Sequence, residues 1–514
     1  MDGTIILFVG VISVTTSQRS VFHSVCCESL PPWFNKTSIT PLETPISAPW
    51  SRKLPQQTLS GRGTDILLHR RVNGRAVCLG DCASLWTTPH KQYELIDSCL
   101  PLVCLTVPVN AVDRDRLVLG AVVFAVLFAQ VLLYPGIPEL VGALGASPAT
   151  WGGDVGAVLD AGKWFLTAEF LGFVLFAGVW GAVSDSVGYR IPLVAAGAVL
   201  GAVGYLALGL LPSLFAVPYE AILLLRFFQG IATIGAFSLA VTTLMDLGGG
   251  HGRNMGTAGL AIGFGTALGS PIGGQLYGVG PFVPLYAAAV ALLGAGLLAT
   301  LATDRTPAAR ASSPLAVFGT VRSQWSLAVP FAFGFVDRLT AGFFALVGTV
   351  YFQSELGVDA AGTGLLLGAF FVPFALFQYP LGRLSDRIGR VIPVVIGSVA
   401  YGLAVIAVFY APSVRLTALS MVVVGVLGAF VAPATMALVT DLAGEHSRGV
   451  AMGGFNISGS LGFLTGIVGG ATVAGGGSFE AAFLVVGLAE VAIATVALPV
   501  LFRLDIPVTP WRSV

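Results

Sequence analysis

Charged residues are scarce in this sequence, and lysine is scarcer still. Asp, Glu, Lys and Arg make up 10% of the 514 residues, and Lys163 is the only lysine after position 110. Because a soluble domain carries about 25% charged residues, this scarcity excludes an ordinary soluble protein. Apolar residues reach 55%. The use of arginine in place of lysine is typical of GC-rich coding and indicates a prokaryotic inner or plasma membrane.

Further absences exclude several functional classes. The long apolar runs contain no histidine, and the sequence has no Gly-Lys-Ser phosphate loop, so it offers no basis for a membrane enzyme or for direct use of ATP. The few charges within these runs are isolated and do not form the rings that line an ion channel. We expect no cofactor, no metal and no nucleic-acid partner.

The first 110 residues differ in composition from the rest. They contain all six cysteines and three of the four lysines. Cys78 and Cys82 have no second pair of ligands at matching spacing, so they predict no metal site. The apolar run from Thr4 to Val14 is too short to span a bilayer and has no basic flank. We expect residues 1–111 to be a poorly structured extension or the product of a misplaced start, with a regulatory tail as the alternative.

Twelve mostly apolar runs are long enough to cross a bilayer as helices. They centre on 117–135, 161–183, 191–212, 219–245, 254–276, 281–302, 327–352, 361–382, 391–412, 416–440, 450–473 and 479–502. We predict an all-α membrane protein with twelve transmembrane helices in two pseudo-symmetric six-helix bundles. The predicted bundles are residues 112–303 and 326–503, with a connector at 304–325 and a tail at 504–514.

A charged turn after the second span is repeated after the eighth. The two copies are Gly181-Ala-Val-Ser-Asp185-Ser-Val-Gly188-Tyr-Arg190 and Gly382-Arg-Leu-Ser-Asp386-Arg-Ile-Gly389-Arg390. Glycine permits a tight turn and close helix packing, an aspartate can face a helix N-terminus, and an arginine can meet anionic headgroups. Asp246 and Arg253, at the end of the fourth span, recur as Asp441 and Arg448 at the end of the tenth. The repeats indicate a duplicated bundle, although a solvated turn would explain either copy alone.

The repeated turn resembles the loop motif between the second and third helices of each half in the major facilitator superfamily. The resemblance covers residue 112 to the end. It implies a transporter, not an enzyme, with a midplane site between parallel halves, and it implies that both turns act as cytoplasmic gates. Basic residues of the short loops lie mainly on the side of these turns, which predicts that this side and both bundle termini face the cytoplasm.

Five charged residues lie well inside the predicted spans, where charges are costly and mark candidate functional sites. They are Glu169, Arg226, Asp337, Arg338 and Glu490. Arg226 belongs to Leu225-Arg-Phe-Phe-Gln-Gly230, which resembles the family's fourth-helix motif, whose arginine is associated with proton coupling. We expect Glu169 to pair with Arg226 and to accept the coupling proton. A purely structural ion pair is the alternative.

Asp337 and Arg338 are adjacent near the middle of the seventh span. Neighbouring helical residues point about 100° apart, so they cannot face one partner together. We expect one to line the cavity and the other to pair with a neighbouring helix. Asp337 would bind a cationic substrate, share the proton-carrying role or serve as an anchored charge. Glu490 is the weakest of the five candidates, because the twelfth helix is often peripheral in this family.

The fifth span is rich in glycine and resembles an antiporter-associated motif of the family. The matching residues are Gly256, Gly265, Gly269, Pro271 and Gly273, although Ser270 occupies the position of the motif's proline. Small residues permit close packing, and the proline frees a carbonyl and bends the helix at the interface between bundles. The resemblance favours efflux, whereas tight packing alone would also explain a glycine-rich helix.

The predicted substrate cavity has aromatic and amide side chains and few charges. The candidates are Gln130, Tyr134, Phe333, Phe374 and Gln378, which suit moderately hydrophobic organic compounds. We therefore predict a monomeric, proton-coupled efflux transporter resembling prokaryotic drug:proton antiporters, with a small-molecule substrate, protons and the lipid bilayer as partners. Proton-coupled or facilitated uptake of a small metabolite such as a sugar is the alternative.

Overall fold

The computed structural model describes residues 111–146, 154–248, 251–304, 325–443 and 448–503. Nearly all of the predicted extension, the connector between residues 304 and 325, and the tail from residue 504 lie outside these ranges. The predictions made for those segments, including the one for Cys78 and Cys82, therefore concern residues that the structure does not describe.

Twelve long helical segments follow one another along the described residues. The first half contains α1 (Ala111–Ala143), α2 (Val155–Val187), α3 (Ile191–Leu214), α4 (Tyr219–Asp246), α5 (His251–Tyr277) and α6 (Val283–Ala299). The second half contains α7 (Trp325–Ser354), α8 (Ala360–Ile388), α9 (Val391–Phe409), α10 (Val414–Leu442), α11 (Arg448–Gly476) and α12 (Phe479–Arg503). Ten segments within the described ranges meet the length and hydropathy expected of a membrane span, and α6 is a shorter apolar helix.

Local sequence explains where several helices begin and end. Gly188 and Gly389 follow α2 and α8 with φ angles of 76° and 90°, a left-handed backbone that glycine adopts without a steric penalty. Asp154 and Asp359 precede the same two helices, and their side chains accept hydrogen bonds from first-turn amides. Gly188 and Gly389 therefore form the tight turns predicted for the repeated glycines, whereas Gly181 and Gly382 lie within α2 and α8. The matching aspartates before α2 and α8 and the matching glycines after them also reflect the duplication.

The two halves pack their helices in the same order. In the first half the main contacts are α1 with α5 and α6, α2 with α4, and α3 with α4 and α6. In the second half they are α7 with α11 and α12, α8 with α10, and α9 with α10 and α12. Between halves, α5 packs on α8 and α11 packs on α2. Adding six to each helix number converts one set into the other. The predicted pseudo-symmetric pair of six-helix bundles is therefore the observed fold.

The halves are joined at one end of the bundle and separate at the other. We call the end that carries the Asp185 and Asp386 turns the motif end, and the opposite end the far end. One apolar cluster in the far part of the molecule contains side chains of both halves, such as Phe165 and Phe344. The described apolar clusters nearer the motif end each belong to one half. The described apolar packing between the halves is therefore concentrated in the far part of the molecule.

Helix α5 uses two faces of small residues for two different neighbours. A Cβ atom added to Gly265 or Gly269 would lie 2.8 or 3.0 Å from a carbonyl oxygen of α1. On the other face Ser270 donates a hydrogen bond to the Gly364 carbonyl of α8 at 3.1 Å, and Pro271 packs against Gly368. The predicted contact between bundles is thus made by the Ser270 and Pro271 face, while the motif glycines Gly265, Gly269 and Gly273 pack within their own half. Gly256 has no neighbour within 4 Å of an added Cβ.

Candidate transport site

Glu169 and Arg226 form an ion pair in the interior of the first half. The Arg226 Nη2 atom lies 2.5 Å from the Glu169 Oε2 atom, and both side chains are fully buried. The predicted partners are therefore in contact across α2 and α4. Glu169 is 14 residues after the start of α2, about 21 Å along the helix at 1.5 Å per residue. The helix begins at Val155, earlier than the predicted span at 161–183.

Two glycines explain why α2 and α4 approach closely enough to form this pair. A Cβ atom on Gly230 of α4 would lie 2.5 Å from the Glu169 carbonyl oxygen. A Cβ atom on Gly172 of α2 would lie 2.8 Å from the Phe227 carbonyl oxygen. Since real Cβ atoms cannot approach so closely, the two helices meet through backbone atoms at these positions. The contact places Glu169 directly beside Arg226.

Polar and aromatic groups surround the guanidinium of Arg226. It donates a hydrogen bond to the Gln229 side chain at 2.7 Å, and its central carbon lies 4.7 Å from the Phe165 ring and 5.2 Å from the Tyr205 ring. Such contacts stabilise a desolvated cation. The Glu169 Oε1 atom, however, has no hydrogen-bond partner among the described residues. The side chains of Gln130, Gln229 and Tyr205 nevertheless lie close enough to act on this carboxylate.

The predicted cavity residues fall into two groups. Gln130, Tyr134 and Phe333 are 5%, 2% and 1% exposed, so in this conformation they are packed in the bundle and do not line an open space. Gln130 and Tyr134 lie beside the Glu169 and Arg226 pair. Phe374 and Gln378 on α8 are partly exposed. Contact of any of these five residues with substrate remains a prediction.

An aromatic contact and a polar contact close the space between the halves on the far side. The Phe463 ring of α11 stacks on Phe170 of α2 with 4.3 Å between ring centroids. Nearer the far end, the Gln353 side-chain amide donates hydrogen bonds to the Pro135 carbonyl at 3.0 Å and to the Glu139 carboxylate at 3.1 Å. Sequence analysis did not single out these groups, because nothing local in the sequence indicates a contact between positions more than 200 residues apart.

Asp337 and Arg338 do not have the ion-pair partner that we expected for one of them. Neither takes part in an ion pair among the described residues. Asp337 is partly buried, whereas Arg338 is exposed and lies over Gly459 of α11, where an added Cβ would be 3.1 Å from the Arg338 Cγ atom. The described residues thus give no ion pair from either residue to a neighbouring helix, and at Arg338 the neighbouring α11 presents a glycine.

Glu490 was the weakest charged candidate in the sequence, yet it is 1% exposed. Its Oε1 atom accepts a hydrogen bond from the Thr340 hydroxyl of α7 at 3.3 Å. Tyr401 of α9 is also 1% exposed, and the charges of Asp337 and Glu490 both act on its hydroxyl. Thr340 and Tyr401 were missed, since an isolated threonine or tyrosine in an apolar run carries no signal of its neighbours.

At the motif end, each repeated arginine joins two aspartates of its own half. Arg190 pairs with Asp185 at 3.6 Å and also contacts Asp246. Arg390 pairs with Asp386 at 2.5 Å and with Asp441 at 3.3 Å. The two repeated sequence features thus combine into one charge triad in each half.

Three roles that the sequence allowed for residues of the repeated turns are not seen in this structure. Arg190 is 8% exposed and is held by carboxylates, so it does not reach lipid headgroups. The N-terminus of α3 is met by Asp304, which accepts hydrogen bonds from the Arg190 and Ile191 amides at 2.8 and 3.0 Å, and not by Asp185. Nothing lies within 4 Å of a Cβ added to Gly181, and the nearest atom to one on Gly382 is 3.5 Å away in Pro433, so neither glycine makes a close helix contact here.

Comparison with known proteins gives matches along most of the described chain. The family model described as Major Facilitator Superfamily matches residues 119–339 and 331–514. The inner membrane transport protein YajR of Escherichia coli is 34% identical over 158 residues, which cover 29% of this chain and 32% of that protein. Multidrug resistance protein 2 of Bacillus subtilis is 28% identical over 144 residues, covering 28% of this chain and 36% of that protein. The chain therefore spans about a third of the length of these curated relatives.

A solved structure of a D-xylose–proton symporter has the same fold. It superposes with a TM-score of 0.59 and 16% identity, over 77% of this chain and 98% of that one. At this identity the likeness concerns the fold alone, but it extends over both bundles. Together with the family match over more than half of the sequence, it identifies the chain as a member of the major facilitator superfamily.

Proposed function

We propose that this membrane transporter exports small, moderately hydrophobic organic compounds in exchange for protons. The main support is the Glu169 and Arg226 pair, in which a fully buried carboxylate has one oxygen on the arginine and one with no hydrogen-bond partner among the described residues. A proton on the free oxygen would neutralise Glu169 and weaken its attraction to Arg226. The pair would then loosen or tighten with protonation, as a coupling site requires.

The arrangement of the two halves supports alternating access. In this conformation the far end is closed by Phe463 on Phe170 and by Gln353 on Glu139. We assign the motif end to the cytoplasm, so this conformation faces inward. Opening the far end requires these contacts to separate while the halves rock about the site. The Asp185 and Asp386 turns then act as gates when the motif end closes.

Two observations support export as the direction of transport. The fifth-helix glycines resemble an antiporter motif, and one relative is named for multidrug resistance. Uptake of a small metabolite such as a sugar is the second candidate, favoured by the displaced proline: Ser270 occupies the motif position and is hydrogen-bonded across to α8.

Accumulation assays in cells expressing the full chain test both assignments. We expect lower retention of a panel of lipophilic cations and neutral aromatic compounds in expressing cells, with the difference abolished by a protonophore. Glu169→Gln should remove the proton-driven part, whereas Glu480→Gln, at an exposed carboxylate at the start of α12, should not. Greater retention in expressing cells would reject efflux in favour of uptake. Undiminished proton-driven transport in Glu169→Gln would reject the coupling role.

A further inference from the structure

The second half contains a buried carboxyl group that the scheme above does not use. Glu490 has a single hydrogen bond, from Thr340, and its Oε2 atom has no partner among the described residues. Burying a carboxylate with one neutral hydrogen bond and no cation costs far more than burying a neutral carboxyl group. The surroundings of Glu490 therefore favour a protonated acid.

A second carboxyl group lies beside the first. Asp337 is three residues before Thr340 on α7, a spacing that places both side chains on one face of the helix, toward α12. Asp337 and Glu490 are near enough for the charge of one to act on the other. Asp337 is partly exposed while Glu490 is not. The pair thus has one partly exposed member and one that is fully enclosed.

A tyrosine hydroxyl without a partner lies at the same place. Tyr401 is 1% exposed, and its hydroxyl forms no hydrogen bond among the described residues. Both carboxyl groups act on it electrostatically. The adjacent Gly402 allows α12 to approach, since a Cβ there would lie 2.9 Å from the Glu490 Cβ. A buried hydroxyl is normally hydrogen-bonded, and the groups near enough to act on this one are Thr340 and the two carboxyl groups.

No described basic residue neutralises this pair through an ion pair. Arg338 lies over Gly459 of α11, and its charge acts on Asp337 without forming an ion pair with it. The other charged residues of α9 to α12 lie at or next to helix ends: Arg390, Arg415, Asp441, Arg448, Glu480 and Arg503. Two carboxylates in such a place repel each other, and losing both protons would be strongly unfavourable.

We propose that Asp337, Glu490 and Tyr401 form a second proton-binding site, in which the two carboxyl groups share one proton. The inference rests on the proposed function, since the three residues would be a second binding site for the coupling proton. An O–H bond breaks on one carboxyl group as another forms on its neighbour, so charge and atoms balance within the pair. Asp337 exchanges the proton with water, and Glu490 retains it in the interior. The Tyr401 hydroxyl stabilises whichever carboxylate remains.

Thermal melting tests the site without substrate. The purified full chain is melted in detergent at a series of pH values from acid to mildly alkaline. The folded protein holds a proton that the unfolded chain has released, so the melting temperature of the wild type should fall as pH rises. Glu490→Gln keeps the hydrogen bond from Thr340 but cannot ionise, and it should remove at least half of that fall. Asp337→Asn should have the same effect. Glu480→Gln, at an exposed position on the same helix as Glu490, should leave the fall in melting temperature unchanged.

Several results would overturn the proposal. A fall with pH that is unaltered in both Glu490→Gln and Asp337→Asn would exclude the shared proton. A melting temperature that rises with sodium at fixed pH in the wild type, but not in Glu490→Gln, would replace the proton by a metal cation. Because melting requires no transport, failure of the efflux assignment and failure of this site give different results. If Glu490→Gln does not fold, the partly exposed Asp337→Asn and Tyr401→Phe remain as variants.

Discussion

The two halves share a fold but handle their buried charges in opposite ways. In the first half Glu169 is paired with Arg226 inside a ring of aromatic and amide groups. In the second half Asp337 and Glu490 lie near each other, and Arg338 points elsewhere. Duplication therefore conserved the helix packing and the turns at the surface, while the interior chemistry diverged. The Glu169 site contains an ion-paired arginine, so it is neutral when unprotonated. The Asp337 and Glu490 site contains no ion-paired cation, so its negative charge is reduced only by binding a proton.

The largest expected effect comes from removing Arg226, with Arg338 of the second half as the comparison. Arg226→Met leaves Glu169 buried without its partner, which should cost about 3–5 kcal/mol of stability. Arg338→Met should cost well under about 1 kcal/mol, because an exposed arginine without an ion pair loses little. Thermal melting in detergent compares the two variants. The double variant Glu169→Leu with Arg226→Met should recover much of the loss, and equal losses for both arginines would remove the contrast between the halves.

The next effect concerns the helix contact that brings Glu169 to Arg226. Gly230→Ala would push a Cβ into the backbone of Glu169 and should cost about 1–3 kcal/mol through overpacking. Gly256→Ala on α5 is the matched control, since open space surrounds an added Cβ there and alanine favours the helix by roughly 0.5–1 kcal/mol. Melting temperatures should therefore move in opposite directions. A neutral Gly230→Ala would mean that α2 and α4 separate easily.

The sequence predicts some features of the fold and of the candidate site but not others. The helices, the duplication and the Glu169 and Arg226 pair were predictable, because apolar runs and isolated charges are local signals. The missing ion-pair partner of Arg338 was not, since it depends on which residue of α11 faces α7, and nothing in the sequence shows that this residue is Gly459. The closure at the far end was equally hidden: Gln353 and Glu139 meet only when the two halves take one particular arrangement.

That closure provides a smaller effect, on conformation. Gln353→Ala removes the hydrogen bonds to Pro135 and Glu139 and leaves the residues around it in place. Losing one net hydrogen bond of about 1 kcal/mol should increase the population open at the far end roughly fivefold. Distances between spin labels at Ala143 and Glu355, both exposed at the far end, measure this population. An unchanged distance distribution would assign closure to the apolar contacts alone. Gln378→Ala on α8 is the control, and it should leave the distance distribution unchanged.

The smallest effect distinguishes the two charge triads at the motif end, which look equivalent in sequence. The side chains of Arg190 and Asp246 are 10% and 39% exposed, against 20% and 50% for Arg390 and Asp441. Partly buried pairs are screened less by water and salt, so Asp246→Asn should cost about 1 kcal/mol and Asp441→Asn a few tenths. Melting at low and high salt measures both, and Asp160→Asn, in a local pair with Lys163, supplies a near-zero baseline. Equal costs would mean that the duplicated turns are equal in energy as well as in sequence, and that the halves differ only in their interiors.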